Sequence, residues 1–240
     1  MDTKPSLFAL LFSACALAQA SVLAQSDFEL SDEGWGITGA PHSTCPVTQQ
    51  GDFCGVPWWE GTYIIAPPGY GQTGFTAPGK FTGDLSAAYG GTLSFDMAAT
   101  TAAPAYARAP LVTITNGSTY TFPDDVWGYA GATQELFLYY PVETSLFPGA
   151  DWTHYDLPLV ASAGWHVGTL FDPAFVSVPV YDRVATEDDM RAFLGNVLTL
   201  RVEALYQRFD LSRTYLDNVV LSAPDQLFVP EASLAVVYKL

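Results

Sequence analysis

The chain has 240 residues, with 25 acidic side chains against 9 basic ones and a formal net charge of -16. A surface this acidic repels the phosphate backbone of nucleic acids and the headgroups of anionic lipids, which argues against both as partners. Charged residues make up only 14% and aromatics another 14%, so the chain can bury a sizeable core, while its acids would attract divalent cations outside a cell.

The N-terminus reads as a secretory signal over residues 1–24. Lys4 is followed by an uncharged apolar run from Leu7 to Leu17, too short for a bilayer span of about 20 residues. Small residues then stand at signal-peptidase spacing, as Val22-Leu23-Ala24 or as Ala18-Gln19-Ala20. This is the charged, apolar, small-x-small order of an export signal. Cleavage after Ala24 is the favoured reading, with Gln25 as the new N-terminus. Cys15 then leaves with the leader. A lipoprotein reading at Cys15 is weak, because the apolar run continues past it. Cys45 and Cys54 remain, and two cysteines in an exported chain predict one disulfide around a loop with Pro46 and Gly51. His42 alone does not complete a zinc site.

Proline and glycine break the remainder into short segments. Tyr63 to Ala66 is rich in β-formers and stops at Pro67-Pro68. Thr92 to Met97 alternates polar and apolar residues, the period of a half-buried strand. Leu111 to Thr115 runs into Asn116-Gly117 and then Ser118 to Phe122, which predicts a hairpin. Further strands are expected over Glu135 to Tyr140, Thr153 to Leu159, Val197 to Ala204 and Leu216 to Leu221. One stretch reads as helix: Thr186 caps it, Asp189 stands where a capping box needs it, and Met190, Phe193, Leu194 and Val197 keep helical spacing. Many short strands and one helix predict a β-sandwich.

From Phe75 onward the chain resembles a laminin IV type A (laminin B) domain. The residues that carry this are Thr76-Ala77-Pro78-Gly79-Lys80-Phe81-Thr82-Gly83-Asp84, then Ala88-Tyr89-Gly90-Gly91-Thr92-Leu93-Ser94-Phe95-Asp96. Asp151-Trp152-Thr153, Ala163-Gly164-Trp165, the helix segment from Ala185, Leu200-Arg201-Val202-Glu203-Ala204 and Leu216-Asp217-Asn218-Val219 follow in the expected order. The resemblance covers residues 75–223. Residues 25–74 would add N-terminal strands and the disulfide loop, and 224–240 would be a tail. It implies an all-β jelly-roll sandwich, like galactose-binding and carbohydrate-binding modules, with one short helix. It further implies that Val229-Pro230-Glu231-Ala232-Ser233 is the start of a truncated PEP-CTERM-like sorting tail.

Jelly-roll modules of this kind often bind a structural calcium where the first and last strands meet. The resemblance therefore implies Glu29 and Asp217 as ligands, with Asp27 in reserve, since calcium needs six to eight oxygens. Sugar recognition needs exposed aromatic faces beside polar groups. Trp58-Trp59-Glu60 is one candidate, because neighbours on a strand face opposite ways. Trp127 and Tyr129, near Asp124-Asp125, are another. Trp35, Trp152 and Trp165 are read as core. Catalytic constellations are poor: there is no Gly-x-Ser-x-Gly elbow and no His-Glu-x-x-His. Gly69 to Gly74 spells Gly-x-Gly-x-x-Gly, but no helix follows it, as a dinucleotide site requires. The reading is a secreted, non-catalytic binding or adhesion module for polysaccharide or extracellular matrix. Cell surface or periplasm are the alternative locations, and no membrane span is expected in the mature chain. An extracellular polysaccharide hydrolase or lyase, or a structural matrix protein, are the alternative functions.

Overall fold

The computed structural model describes residues 20–38, 58–66, 73–100, 108–122, 131, 133–143, 146–169, 181–205 and 213–225. Two antiparallel sheets face each other. The first runs β3 (Trp58–Trp59), β4 (Ile64–Ala66), β13 (Thr214–Ser222), β6 (Thr92–Ala99), β9 (Thr153–Pro158), and β1 (Val22–Ser26) also pairs with β13. The second has seven strands: β11 (Asp182–Val184), β10 (His166–Thr169), β8 (Thr133–Glu143), β7 (Arg108–Thr121), β12 (Thr199–Leu205), β5 (Thr73–Thr76) and β2 (Gly36–Thr38). This is the expected jelly-roll sandwich.

Alternation fills the space between the sheets. Leu93, Phe95 and Met97 of β6 are buried beside Leu216, Val219 and Leu221 of β13. Leu200, Val202 and Ala204 of β12 supply the opposite wall. Their neighbours in sequence face outward, as a period of two requires. The helix α1 (Glu187–Leu194) closes one end with Met190, Phe193 and Leu194 inside. Its capping box is complete: Thr186 Oγ1 accepts from the Asp189 amide, and Asp189 accepts from the Thr186 amide. Among the described residues no helix is long and apolar enough to cross a membrane.

The expected hairpin at Asn116-Gly117 is corrected. β7 runs straight through it as a 14-residue strand. It pairs with β8 on both sides, Thr115 with Phe137 and Thr119 with Glu135, so the turn residues form a bulge. The local chemistry is still that of a turn: Gly117 has φ of 81° and the Ser118 amide donates to Asn116 Oδ1 at 2.9 Å. Asn116 Nδ2 also donates to the Ala192 carbonyl, so the bulge fastens the strand to α1. A bulge and a turn use the same left-handed glycine, and only the partner strand separates them.

One edge of β13 is shared. β6 lines the other edge throughout, so β4, opposite residues 214–216, and β1, opposite 219–222, must follow one another along the free side. At the changeover β13 is irregular and Asn218 adopts φ of 50°. The loop after β1 is tightly folded there. Glu33 Oε1 accepts from the amides of Asp27 and Phe28, both at 2.9 Å, and its other oxygen pairs with Lys80. Trp35 donates to the buried Ser26 Oγ at 2.9 Å, and its ring packs between Phe28 and Phe81.

Candidate functional site

The outward face of the six-stranded sheet carries two adjoining rows of side chains. Register builds them: Tyr215 lies opposite Ala98 on one side and Ile65 on the other, while Asp217 lies opposite Asp96, and Asp96 opposite His154. Along the first row, Tyr63, Tyr215 and Trp152 form an aromatic patch. Tyr63 meets Tyr215 at 5.6 Å and Trp152 at 5.7 Å, and Trp152 meets Tyr215 at 6.4 Å, all edge-to-face. Edge-to-face pairs are mutually stabilising, so the rings hold one another in place. Ala98 presents only a methyl group between the strands that carry them. Trp152 is nevertheless 48% exposed. Reading it as core is therefore corrected. Trp152 shares the parity of His154 and Asp156, the outward residues of β9.

The second row is polar. His154 Nδ1 lies 2.6 Å from Asp96 Oδ1, and its Nε2 lies 3.3 Å from Asp156 Oδ1. Asn218 Nδ2 donates to the second Asp96 oxygen at 2.8 Å. The Asp96 hydrogen bond, reinforced by the charge of Asp156, raises the His154 pKa. With a carboxylate at each ring nitrogen, the imidazole favours its doubly protonated form, which has no lone pair to act as a base. At the rim, the Tyr63 hydroxyl donates to Glu60 at 3.2 Å. The arrangement offers flat apolar faces bordered by fixed hydrogen-bond acceptors, which suits binding better than proton transfer.

The residues expected to hold calcium come to the β1–β4 changeover. Asp217 is half-buried there, and its carboxyl is pushed up to about 6, first by burial and then by the charges of Asp96, Glu29 and Asp27. Several oxygens are already engaged: Asp217 Oδ1 accepts from the Asn218 amide at 2.7 Å, and Asp27 Oδ1 from the Glu29 amide at 3.2 Å. Among the described residues no group of three or more His, Cys, Asp or Glu converges as a metal cage. The three acids thus share one electrostatic neighbourhood without being arranged around a centre.

Of the expected ligand-binding residues, Trp59 is 44% exposed and donates its indole N–H to the Phe28 carbonyl at 2.6 Å. Trp58 lies in β3, and Glu60 sits beside the aromatic patch through Tyr63. Trp127, Tyr129, Cys45 and Cys54 lie outside the described residues. Tyr63 and Tyr215 were not singled out as ligand-binding residues by sequence, and Trp152 was read as core. The available signal was parity with outward neighbours: Trp152 two residues before His154, and Tyr215 two before Asp217.

A second polar cluster lies on the outer face of the seven-stranded sheet. Glu203 is buried and accepts from Arg201 at 2.8 Å and from Thr113 at 3.3 Å. Burial raises its pKa against the opposing pull of Arg201 and Thr113. Arg201 lies across Gly74, where an added Cβ would fall 2.2 Å from its Nε. Further along, Tyr139 donates to Asp182 at 2.5 Å and His166 Nδ1 lies 2.8 Å from the same oxygen.

No family model matches the sequence, and no curated protein does. Among solved structures, the L4b domain of human laminin alpha-2 is similar with a TM-score of 0.51 at 13% identity, covering 85% of this chain and 98% of that one. The fold is like that of the laminin L4b domain. A family 11 carbohydrate-binding module of a Clostridium thermocellum cellulase gives a TM-score of 0.44 at 17% identity, covering 88% of this chain and 99% of that one. A two-module piece of a xylanase from the same organism gives 0.31 at 10% identity, covering 83% of this chain and 28% of that one. Of these three, the laminin domain is near enough to carry the fold comparison, and at that identity it carries the fold alone.

Proposed function

We propose that this chain is an exported, non-catalytic binding module whose ligand is a neutral polysaccharide. The observation that supports it is the patch of exposed Trp152 and half-buried Tyr63 and Tyr215 beside Asp96, Asp156, Glu60 and His154. Sugar rings have apolar faces that stack on aromatics, and their hydroxyls donate to carboxylates. The three acids in and around the patch, together with the chain's net charge of -16, disfavour uronate or sulfated polymers. A structural calcium at Asp27, Glu29 and Asp217 belongs to the same reading, supported by the half-burial of Asp217 and by the neighbouring charges of Asp96, Glu29 and Asp27, which together raise its pKa. It would sit at a strand junction, beside Asp96 at the border of the recognition face.

The test is a sedimentation assay of the purified full chain with insoluble neutral glucans and xylans, and with pectin and alginate gels, followed by a reducing-sugar assay. Retention on a neutral polymer, lost in Trp152→Ala, is the expected result. No retention on any polymer, or retention that ignores Trp152→Ala, would refute the site. Release of reducing ends would replace the module by a hydrolase.

A further inference from the structure

The chain's start must satisfy two demands at once, those of export and those of the sheet. The sequence offers two small-x-small sites, ending at Ala20 and at Ala24. Only one is compatible with β1. This strand pairs with β13 as Val22 to Ser222, Ala24 to Leu221, Gln25 to Val220 and Ser26 to Val219. The ladder extends one step further out, because the Ser21 carbonyl accepts from the Ala223 amide at 2.9 Å. Ala24 is 7% exposed and belongs to the core cluster, whereas Val22, at 55%, faces solvent.

A cut after Ala24 would remove half of these pairs together with the Ser21 bond. It would strip β1 from the Leu221–Ser222 end of β13. It would also create a charged α-amino group on Gln25, whose own carbonyl is held by the Lys80 ammonium. Two like charges within a residue's breadth repel. A cut after Ala20 costs none of this. It leaves Ser21 exposed and the strand whole, and Ala18-Gln19-Ala20 meets the small-x-small requirement directly.

We infer that a signal peptidase cleaves this chain between Ala20 and Ser21, so that the four residues 21–24 belong to the folded domain and not to the leader. Water is the second reactant. The Ala20–Ser21 amide bond breaks, the new carboxylate leaves with residues 1–20, and the ammonium remains on Ser21.

The experiment is export of the full chain from a bacterial host, with N-terminal sequencing and intact mass of the exported protein. Ser21 at the N-terminus is expected. An N-terminus at Gln25, at any later residue, or at Met1 overturns the inference. Two variants separate the sites. Ala18→Arg should abolish processing. Val22→Arg, at the exposed position a cut after Ala24 would need, should leave the product starting at Ser21. The reverse pattern overturns it. Finally, protein made without a leader from Ser21 should melt several degrees above protein made from Gln25. Equal melting temperatures would refute the structural argument.

Discussion

Replacing Asp217 by Asn tests the electrostatics of the β1–β4 changeover. Asp217 faces Asp96 from β6, which itself holds His154 of β9 and Asn218, and it feels Asp27 and Glu29 from the loop after β1. Its carboxyl rises from an ordinary value of 3.8 to about 6 in the folded chain, burial being the first cause. The folded state therefore holds this proton more tightly than the unfolded state. The resulting stability is fully present below the unfolded pKa and is lost as the pH rises through about 6. At 1.36 kcal/mol per pKa unit the whole shift is worth about 3 kcal/mol, and screening at a half-exposed carboxyl reduces it to about 1 kcal/mol. With EDTA present at neutral pH, Asp217→Asn should melt higher than the parent by about 2–4 °C for a chain of this size. Below about pH 3 the two should coincide, because the aspartic acid is then neutral in both states. An equal or lower melting temperature for Asp217→Asn at neutral pH would refute the reasoning. Calcium adds a second arm: if these acids bind it, calcium raises the parent's melting temperature and leaves Asp217→Asn unmoved.

Gly91→Ala should be severe, since its Cβ would fall 1.9 Å from the Ser222 carbonyl oxygen. Backbone must move at the β6–β13 pairing, and a loss above about 2 kcal/mol is expected in urea unfolding. Trp35→Phe leaves the buried Ser26 hydroxyl without its indole donor and should cost about 1–3 kcal/mol in the same assay. His154 has a raised pKa, first through Asp96, so its stabilising contribution is present below the ordinary value of 6.5 and lost as pH climbs through the higher folded one. The melting-temperature gap between the parent and His154→Phe should therefore narrow from mildly acidic to alkaline pH, and a gap that widens would contradict the pairing.

Much of the sandwich was legible because its longer strands carry their own period. Thr92 to Met97 and Thr199 to Ala204 alternate cleanly, and the structure places strands over them, whereas Leu198, expected to face inward with Leu200, lies before the strand and is exposed. The helix was legible because Thr186 and Asp189 satisfy each other locally. Strands such as β2, β3 and β11, only two or three residues long, hold too few positions to show any period. Asn116-Gly117 misled for a different reason. Its conformation is what the sequence indicates, but whether the chain reverses there depends on β8, which pairs with both flanks. The aromatic patch was hidden by distance along the chain. Tyr63, Trp152 and Tyr215 come from three separate strand ends, and nothing local announces that register sets them side by side. Asp217 and Glu29 were legible as neighbours through the family likeness. Their crowding was legible, but a coordinating arrangement was not.

The pairing of β1 with β13 also orders events in time. One partner holds residues 22–26 and the other residues 214–222, so nearly the whole chain must be made before they can meet. Contacts this distant in sequence are slow to form. A domain closed by two segments so far apart completes its sheet only after its last strand has been made.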